Sequence, residues 1–259
     1  MEFFRFAALF FTGGILGWIL ELFFRRFVSQ HKWVNPGFLT GPLLPLYGFG
    51  LSALYYLSEF PYDWVGPVWA QYLVKILFIG LAMTLVELIA GLIFIKGMKI
   101  KLWDYSNRWG NFQGIICPLF SLIWTICGAG YVFLLHPLFK TYTNWIFANP
   151  MPFLWVFGFV CGILVIDLGY SFQLVVKIRK AVSEKKLVVD WDKIKASFQL
   201  QRRRLKEHAP WIFAFTANTE EFRTMIANYK VELSQEVEIR KAKIRAKLAA
   251  REEKKAGKK

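Results

Sequence analysis

The chain has 259 residues, of which 56% are hydrophobic and 18% aromatic, and its formal net charge is +15. Several apolar runs are long enough to cross a bilayer, which excludes a water-soluble globular domain. The charge is uneven, since residues 177–259 hold 23 of the 33 Lys and Arg residues but only 11 of the 18 acidic ones. We therefore divide the chain into a transmembrane domain, residues 1–176, and a basic helical tail, residues 177–259.

Five apolar stretches predict membrane-spanning helices, at about residues 4–24, 43–59, 67–95, 114–135 and 153–176. A helix rises about 1.5 Å per residue, so roughly 20 residues cross the hydrocarbon core. The second stretch is the shortest and contains Pro45, Gly48 and Gly50, so a broken or re-entrant element is an alternative to a full span there. The predicted fold class is all-α, a polytopic membrane helix bundle with about five spans.

The connecting segments predict the orientation of the bundle. Segments 25–42 and 96–113 are rich in Lys and Arg, whereas segments 60–66 and 136–152 are poor in them. Basic loops stay on the cytoplasmic side of a membrane. The sequence therefore predicts a multi-pass protein of the cell membrane with its N-terminus outside and its tail in the cytoplasm.

The tail begins with apolar residues at helical spacing beside a run of arginines at 202–204: Trp191, Ile194, Phe198 and Leu205. This pattern is typical of a basic amphipathic helix on a membrane surface, with anionic lipid head groups as its partner. Nucleic acid is a less favoured partner. A second helix is predicted after Thr219, and its apolar stripe fits either a coiled-coil seam or a face packed on the first helix.

Three acids lie inside otherwise apolar runs: Glu21, Glu87 and Asp167. A charge in the bilayer costs about 2.5–3.5 kcal/mol on insertion scales, so such residues usually face a protein interior or a wet cavity. Structural alternatives exist, because Glu21 could pair with Arg25 on its own helix and Asp167 could join a network with Ser171.

The two predicted inner loops add further polar groups to the same side as Glu21 and Glu87. Residues 33–48 contain three Pro and three Gly, which exclude a regular helix and leave either a tight connector or exposed backbone that could bind an ion or a head group. We predict a polar pocket that opens to the cytoplasm between the inner ends of the first four spans. Its candidate binding residues are Glu21, Asn35, Tyr47, Glu87, Asp104, Tyr105, Asn111, Gln113 and Asp167.

The two halves of this region look alike. Each has a span with a Glu, an inner loop with a Trp and a polar side chain, and then a Gly or Cys followed by Pro, at Gly41-Pro42 and Cys117-Pro118. Both hairpins run in the same direction, which predicts a parallel repeat about an axis along the membrane normal.

The motifs GWILE at 17–21, NPGFLTGP at 35–42, PLYGFG at 45–50, LWDYS at 102–106 and NFQG at 111–114 carry a family resemblance. In order and spacing they resemble the bacterial membrane family named Putative ABC-transporter type IV, or CmpB-like permeases, over about residues 10–130. The resemblance implies transport. Pro36 departs from it, because the family is expected to have Arg there. No G-x-x-x-x-G-K-[ST] motif occurs, so an ATPase would be a separate chain.

Three functions follow from these features. The favoured one is a permease-like transporter or transporter subunit of unidentified substrate, with a separate ATPase or a second copy of the chain as partner. A membrane scaffold or regulatory anchor acting through the basic tail is an alternative. A lipid-modifying enzyme using Asp104 and Glu87 is another, but the three His form no ligand cluster and no nucleophile motif appears. The sequence identifies no cofactor and no metal site.

Overall fold

A computed structural model describes residues 2–29, 31, 33–182, 189–195, 227 and 231. These residues are mostly helical, which confirms the predicted all-α membrane helix bundle. The helices are α1 (Glu2–Phe24), α2 (Pro45–Glu59), α3 (Val68–Gly91), α4 (Pro118–Gly130), α5 (His136–Ala148) and α6 (Pro150–Val182). Short π-helical turns continue α1 (Arg25–Ser29), α3 (Leu92–Gly97) and α4 (Tyr131–Leu135). Strands β1 (Ile100–Lys101) and β2 (Val189–Asp190) pair in parallel.

Within the described residues, four helical segments are long and apolar enough to cross a membrane: Glu2–Ser29, Val68–Gly97, Pro118–Ala148 and Pro150–Gln173. The second predicted span, residues 43–59, corresponds to α2, whose 15 residues rise only about 22 Å, too little for a core of about 30 Å. The prediction of a loop at 136–152 is wrong for most of that segment, because α5 continues the α4 helix there. Pro137 lies in the first turn of α5, where a missing N–H costs little.

The chain before α2 enters the bundle without helical structure. The Leu44 amide donates to the Gly14 carbonyl (3.0 Å), halfway along α1, and at the other end of α2 the Tyr56 hydroxyl reaches Glu2. Helix α2 therefore lies along the N-terminal half of α1, and residues 33–44 lie beside the C-terminal half. We call residues 33–44 the re-entrant segment. Irregular backbone at this depth requires protein around it.

Residues 189–195 cover the re-entrant segment on the side where α1, α3 and α6 end, here called the tail side. Trp191 and Ile194 are buried against Phe38, Leu39 and Ile100. The predicted position of Trp191 and Ile194 on a membrane surface is therefore corrected: their apolar stripe packs on protein, because the re-entrant segment offers an apolar surface of its own. Phe198, Leu205 and the second tail helix lie outside the described residues. The domain boundary at 176 and the cytoplasmic orientation stay predictions.

Candidate functional site

A cavity of about 640 Å³ lies between α1, α2, α3 and the continuous α4–α5 segment. Its walls are mainly leucine, methionine, valine and glycine. The polar or amphipathic side chains on the walls are Thr12, Tyr47, Glu87, Trp124, Tyr131 and Tyr142. The cavity is thus apolar along most of its length, unlike the polar pocket expected from the sequence.

Glu87 is the acidic residue on the wall of this cavity. It is buried, with 5% of its surface exposed. Its Oε1 accepts a hydrogen bond from the Tyr105 hydroxyl (2.9 Å), but its Oε2 has no hydrogen-bonding partner within the described part of the chain. The Trp124 indole lies close enough to act on the carboxylate, yet its N–H makes no hydrogen bond of normal geometry to any described residue. A buried acceptor and a buried donor are therefore left available side by side.

Glu21 reaches the cavity only through Tyr47. The Tyr47 hydroxyl donates to Glu21 Oε2 (3.1 Å), and Arg25 Nε donates to Glu21 Oε1 (3.1 Å). Gly17 makes this possible, because a Cβ there would collide with the Tyr47 ring. Glu21 therefore has the i, i+4 partner that the structural alternative predicted, and the same guanidinium also pairs with Asp192 (2.6 Å).

Asp167 holds the backbone of the re-entrant segment. Its carboxylate accepts hydrogen bonds from the amides of Thr40 (3.0 Å) and Gly41 (2.8 Å), and also from the Thr40 hydroxyl. The Ser171 hydroxyl adds a fourth (3.3 Å). These amides have no helical partner, so the carboxylate supplies the acceptors that irregular backbone needs in an apolar environment.

Asn35 and Lys195 bind further polar groups of the re-entrant segment. Asn35 accepts from the Trp18 indole (2.6 Å) and donates to the Thr40 carbonyl (2.6 Å). Lys195 is buried and donates to the carbonyls of Asn35 (3.3 Å), Gly37 (2.8 Å) and Leu39 (2.7 Å). Burial lowers the pKa of Lys195 to about 7, although the nearby charges of Asp192 and Asp167 oppose the shift.

The second predicted loop is held by its own polar residues. Asp104 bonds Ser106 and pairs with Lys101, while Asn111 donates to the Arg108 carbonyl (2.8 Å) and accepts from the Gly114 amide (3.0 Å). Partial burial alone would raise the pKa of Asp104, but the contacts with Lys101 and Ser106 bring it below its ordinary value. Burial, together with the charge of Glu87, raises the pKa of Tyr105. Tyr105 is the member of this loop that is hydrogen-bonded to a residue of the cavity wall, Glu87.

Comparison with known proteins places this geometry in a family. The family model described as Putative ABC-transporter type IV matches residues 8–172, nearly the whole helical bundle. The chain belongs to this family. It is a transporter-related membrane protein whose helices contact lipid. No curated protein matches the chain, and no solved structure matches it.

Within this family member, the nine predicted site residues fall into three groups. Glu21, Tyr47, Glu87 and Tyr105 form two Glu–Tyr pairs at the tail-side end of the cavity. Asn35 and Asp167 hold the re-entrant segment. Asp104 and Asn111 stabilise their own loop, and Gln113 is exposed in a left-handed backbone conformation (φ 57°). Two of the nine, Tyr47 and Glu87, therefore line the cavity, and Glu21 and Tyr105 are hydrogen-bonded to them from behind its wall.

Two residues of this family member escaped the sequence reasoning. Trp124 lies in an apolar run. Its indole N–H needs an acceptor when it is buried, and this need was a usable signal in the sequence. Lys195 lies in the basic tail, and no local pattern separates it from the other lysines. One detail agrees with the predicted repeat, since in each half a Glu is hydrogen-bonded by a Tyr that follows it in the chain. The prolines match differently from the prediction, because the Pro that begins a helix in the first half, as Pro118 does in the second, is Pro45 rather than Pro42.

Proposed function

We propose that this chain is the permease-like membrane subunit of a transporter and that its substrate binds in the cavity at Glu87. The observation that carries the proposal is the buried Glu87 Oε2, which lacks a partner among the described residues although the cavity beside it is apolar. Such a group is costly to keep in a membrane. Its retention is explained if a substrate supplies the missing hydrogen bond.

The neighbouring residues support this role by fixing the carboxylate. Tyr105 orients Glu87 through Oε1, and Tyr47 lies between the cavity and the Glu21–Arg25 ion pair. With the orientation predicted by loop charge, the polar end of the cavity lies toward the cytoplasm of a cell membrane. A separate ATPase would then dock on the tail side, beside segment 98–117 and residues 189–195.

The enzyme alternative loses its main support. It needed Asp104 and Glu87 to act together, but Asp104 is engaged by Lys101 and Ser106, whereas Glu87 is bonded to Tyr105. The scaffold alternative gains one observation, the packing of residues 189–195 on the re-entrant segment. Truncation after residue 195 tests it, since a scaffold acting through residues 196–259 would lose its effect while the cavity stays intact.

The function is tested in cells that lack the chain. Their small-molecule content is compared by mass spectrometry with that of cells expressing the wild type, Glu87→Gln, or Glu2→Gln, a matched change of an exposed acid at the far end of α1. We expect one solute class to change on deletion and to be restored by the wild type and Glu2→Gln but not by Glu87→Gln. Full restoration by an equally expressed Glu87→Gln variant would contradict the proposal.

A further inference from the structure

The cavity has an apolar opening toward the lipid between α1 and the α4–α5 segment. Leu16 and Leu20 of α1 line the cavity and are 50% and 59% exposed, and Leu138 opposite them is 66% exposed. Helices α1 and α5 are joined by the hydrogen bond between Thr12 and Tyr142 (2.8 Å). Leu16 and Leu20 lie one and two turns from that bond toward the tail side, where the cavity's exposed leucines face the hydrocarbon layer.

We propose that the cavity binds a single-chain amphiphile with an amino head group, which moves in sideways from the bilayer and places its ammonium at Glu87. The proposal rests on the function proposed above and names its substrate class. The apolar walls fit a hydrocarbon chain, and the volume of about 640 Å³ lies within the range of about 300–1,000 Å³ usual for small-ligand sites.

The charges around the cavity favour a cation over other head groups. Arg25 pairs with Glu21 and backbone amides satisfy Asp167, whereas no salt bridge joins Glu87 to a described Lys or Arg. An ammonium would donate a hydrogen bond to Oε2 and also form an ion pair with the carboxylate, a hydroxyl would donate the hydrogen bond alone, and a carboxylate head group would meet repulsion. The rings of Tyr47 and Trp124, with centroids 6.0 Å apart, flank this end and can face a cation.

The test uses the purified full-length chain in phosphatidylcholine nanodiscs with a photoreactive dodecylamine. After irradiation, labelled residues are mapped by mass spectrometry, with dodecylamine, dodecanol and dodecanoate as competitors. We expect labels on α1 and α4 around Leu16 and Trp124, and competition at least tenfold stronger by dodecylamine than by dodecanol, with dodecanoate weakest. Glu87→Gln is expected to remove the preference for the amine, and Glu2→Gln to keep it.

Labels spread evenly over the lipid-facing helices, equal competition by the three compounds, or an unchanged preference in Glu87→Gln would each overturn the proposal. If any of these occurs while Glu87→Gln still fails to restore solute content in cells, the substrate class is wrong and the proposed function survives. Lysophosphatidylethanolamine, a single-chain lipid with an ammonium head group, is added as a fourth competitor to separate two sources of the amine: stronger competition than by dodecylamine identifies a lipid head group as the occupant, and weaker competition identifies a free amine.

A separate variant tests entry into the cavity from the lipid. Leu16→Trp fills the opening without touching the polar end, so we expect labelling of Trp124 to become at least several-fold slower while the amine preference persists. Leu81→Trp, an equally bulky change on an exposed face of α3 that does not line the cavity, serves as the control. Equal labelling rates in the two variants would contradict the lateral route.

Discussion

Two regions of the molecule accommodate a buried acid in different ways. Beside the re-entrant segment, Asp167 of α6 accepts hydrogen bonds from two backbone amides and two hydroxyls. At the end of the cavity, Glu87 has Tyr105 on one oxygen and no described partner on the other. The fold therefore uses the carboxylate of Asp167 in its own hydrogen bonds, whereas it leaves one carboxylate oxygen of Glu87 available.

The three acids lie at similar positions along their spans. Asp167 lies in the last third of its span, and Glu21 and Glu87 likewise lie toward the tail-side ends of theirs. Position along a span therefore does not distinguish their roles; only their hydrogen-bond partners do.

The largest effect that tests this comparison is expected for Asp167→Ala. The change leaves the amides of Thr40 and Gly41 buried without acceptors, at about 1–3 kcal/mol each, so the variant should lose several kcal/mol of stability. Thermal unfolding in detergent and cleavage of the re-entrant segment by protease measure the loss. Asp63→Ala, an exposed acid in the loop after α2, is the control, and equal stability of the two variants would refute the structural role.

A smaller loss is expected for Lys195→Met, which removes the donor shared by three carbonyls of the re-entrant segment. Since residues 189–195 would then release the segment, a cysteine placed at Leu39 should react faster with maleimide than in the unmodified background. Lys96→Met, an exposed lysine on the same side, is the control. Unchanged reactivity at residue 39 would show that Lys195 does not hold the segment.

Lys195 also predicts how stability depends on pH. Its folded pKa is about 7 and its ordinary value is 10.5, so the unfolded state binds more protons between those values and folding becomes more favourable as the pH rises. The unfolding temperature of the wild type relative to that of Lys195→Met should therefore rise as the pH increases from 7 to 10. A difference that is constant or shrinks over this range would contradict the lowered pKa.

The smallest effects are expected for the two tyrosines. Tyr105→Phe removes the fixed partner of Glu87 and should cost about 1 kcal/mol. Tyr47→Phe should cost less, because Glu21 keeps Arg25. Photolabelling should weaken in Tyr105→Phe but much less than in Glu87→Gln. A greater loss in Tyr47→Phe than in Tyr105→Phe would reverse the ranking of the two pairs.

The sequence allowed much of this arrangement to be predicted. Hydropathy placed the long spans, and Pro and Gly at 36–48 indicated the re-entrant element, because neither residue type supports a regular helix. The acids were found because charges are rare in apolar runs. Their partners were not predictable, since the bonds of Asp167 to Thr40 and of Lys195 to Leu39 join residues more than 120 positions apart, which no local pattern encodes.

Glu87 thus serves to bind a ligand, whereas Asp167 serves to stabilise the fold. Thermal unfolding of Glu87→Gln and Asp167→Asn, measured side by side in the same nanodiscs with and without dodecylamine, tests this difference most directly. We predict that Glu87→Gln unfolds at or above the wild-type temperature and is not stabilised by the amine, whereas Asp167→Asn unfolds several degrees lower and is still stabilised. The opposite pattern, a destabilised Glu87→Gln that the amine protects, would contradict the account.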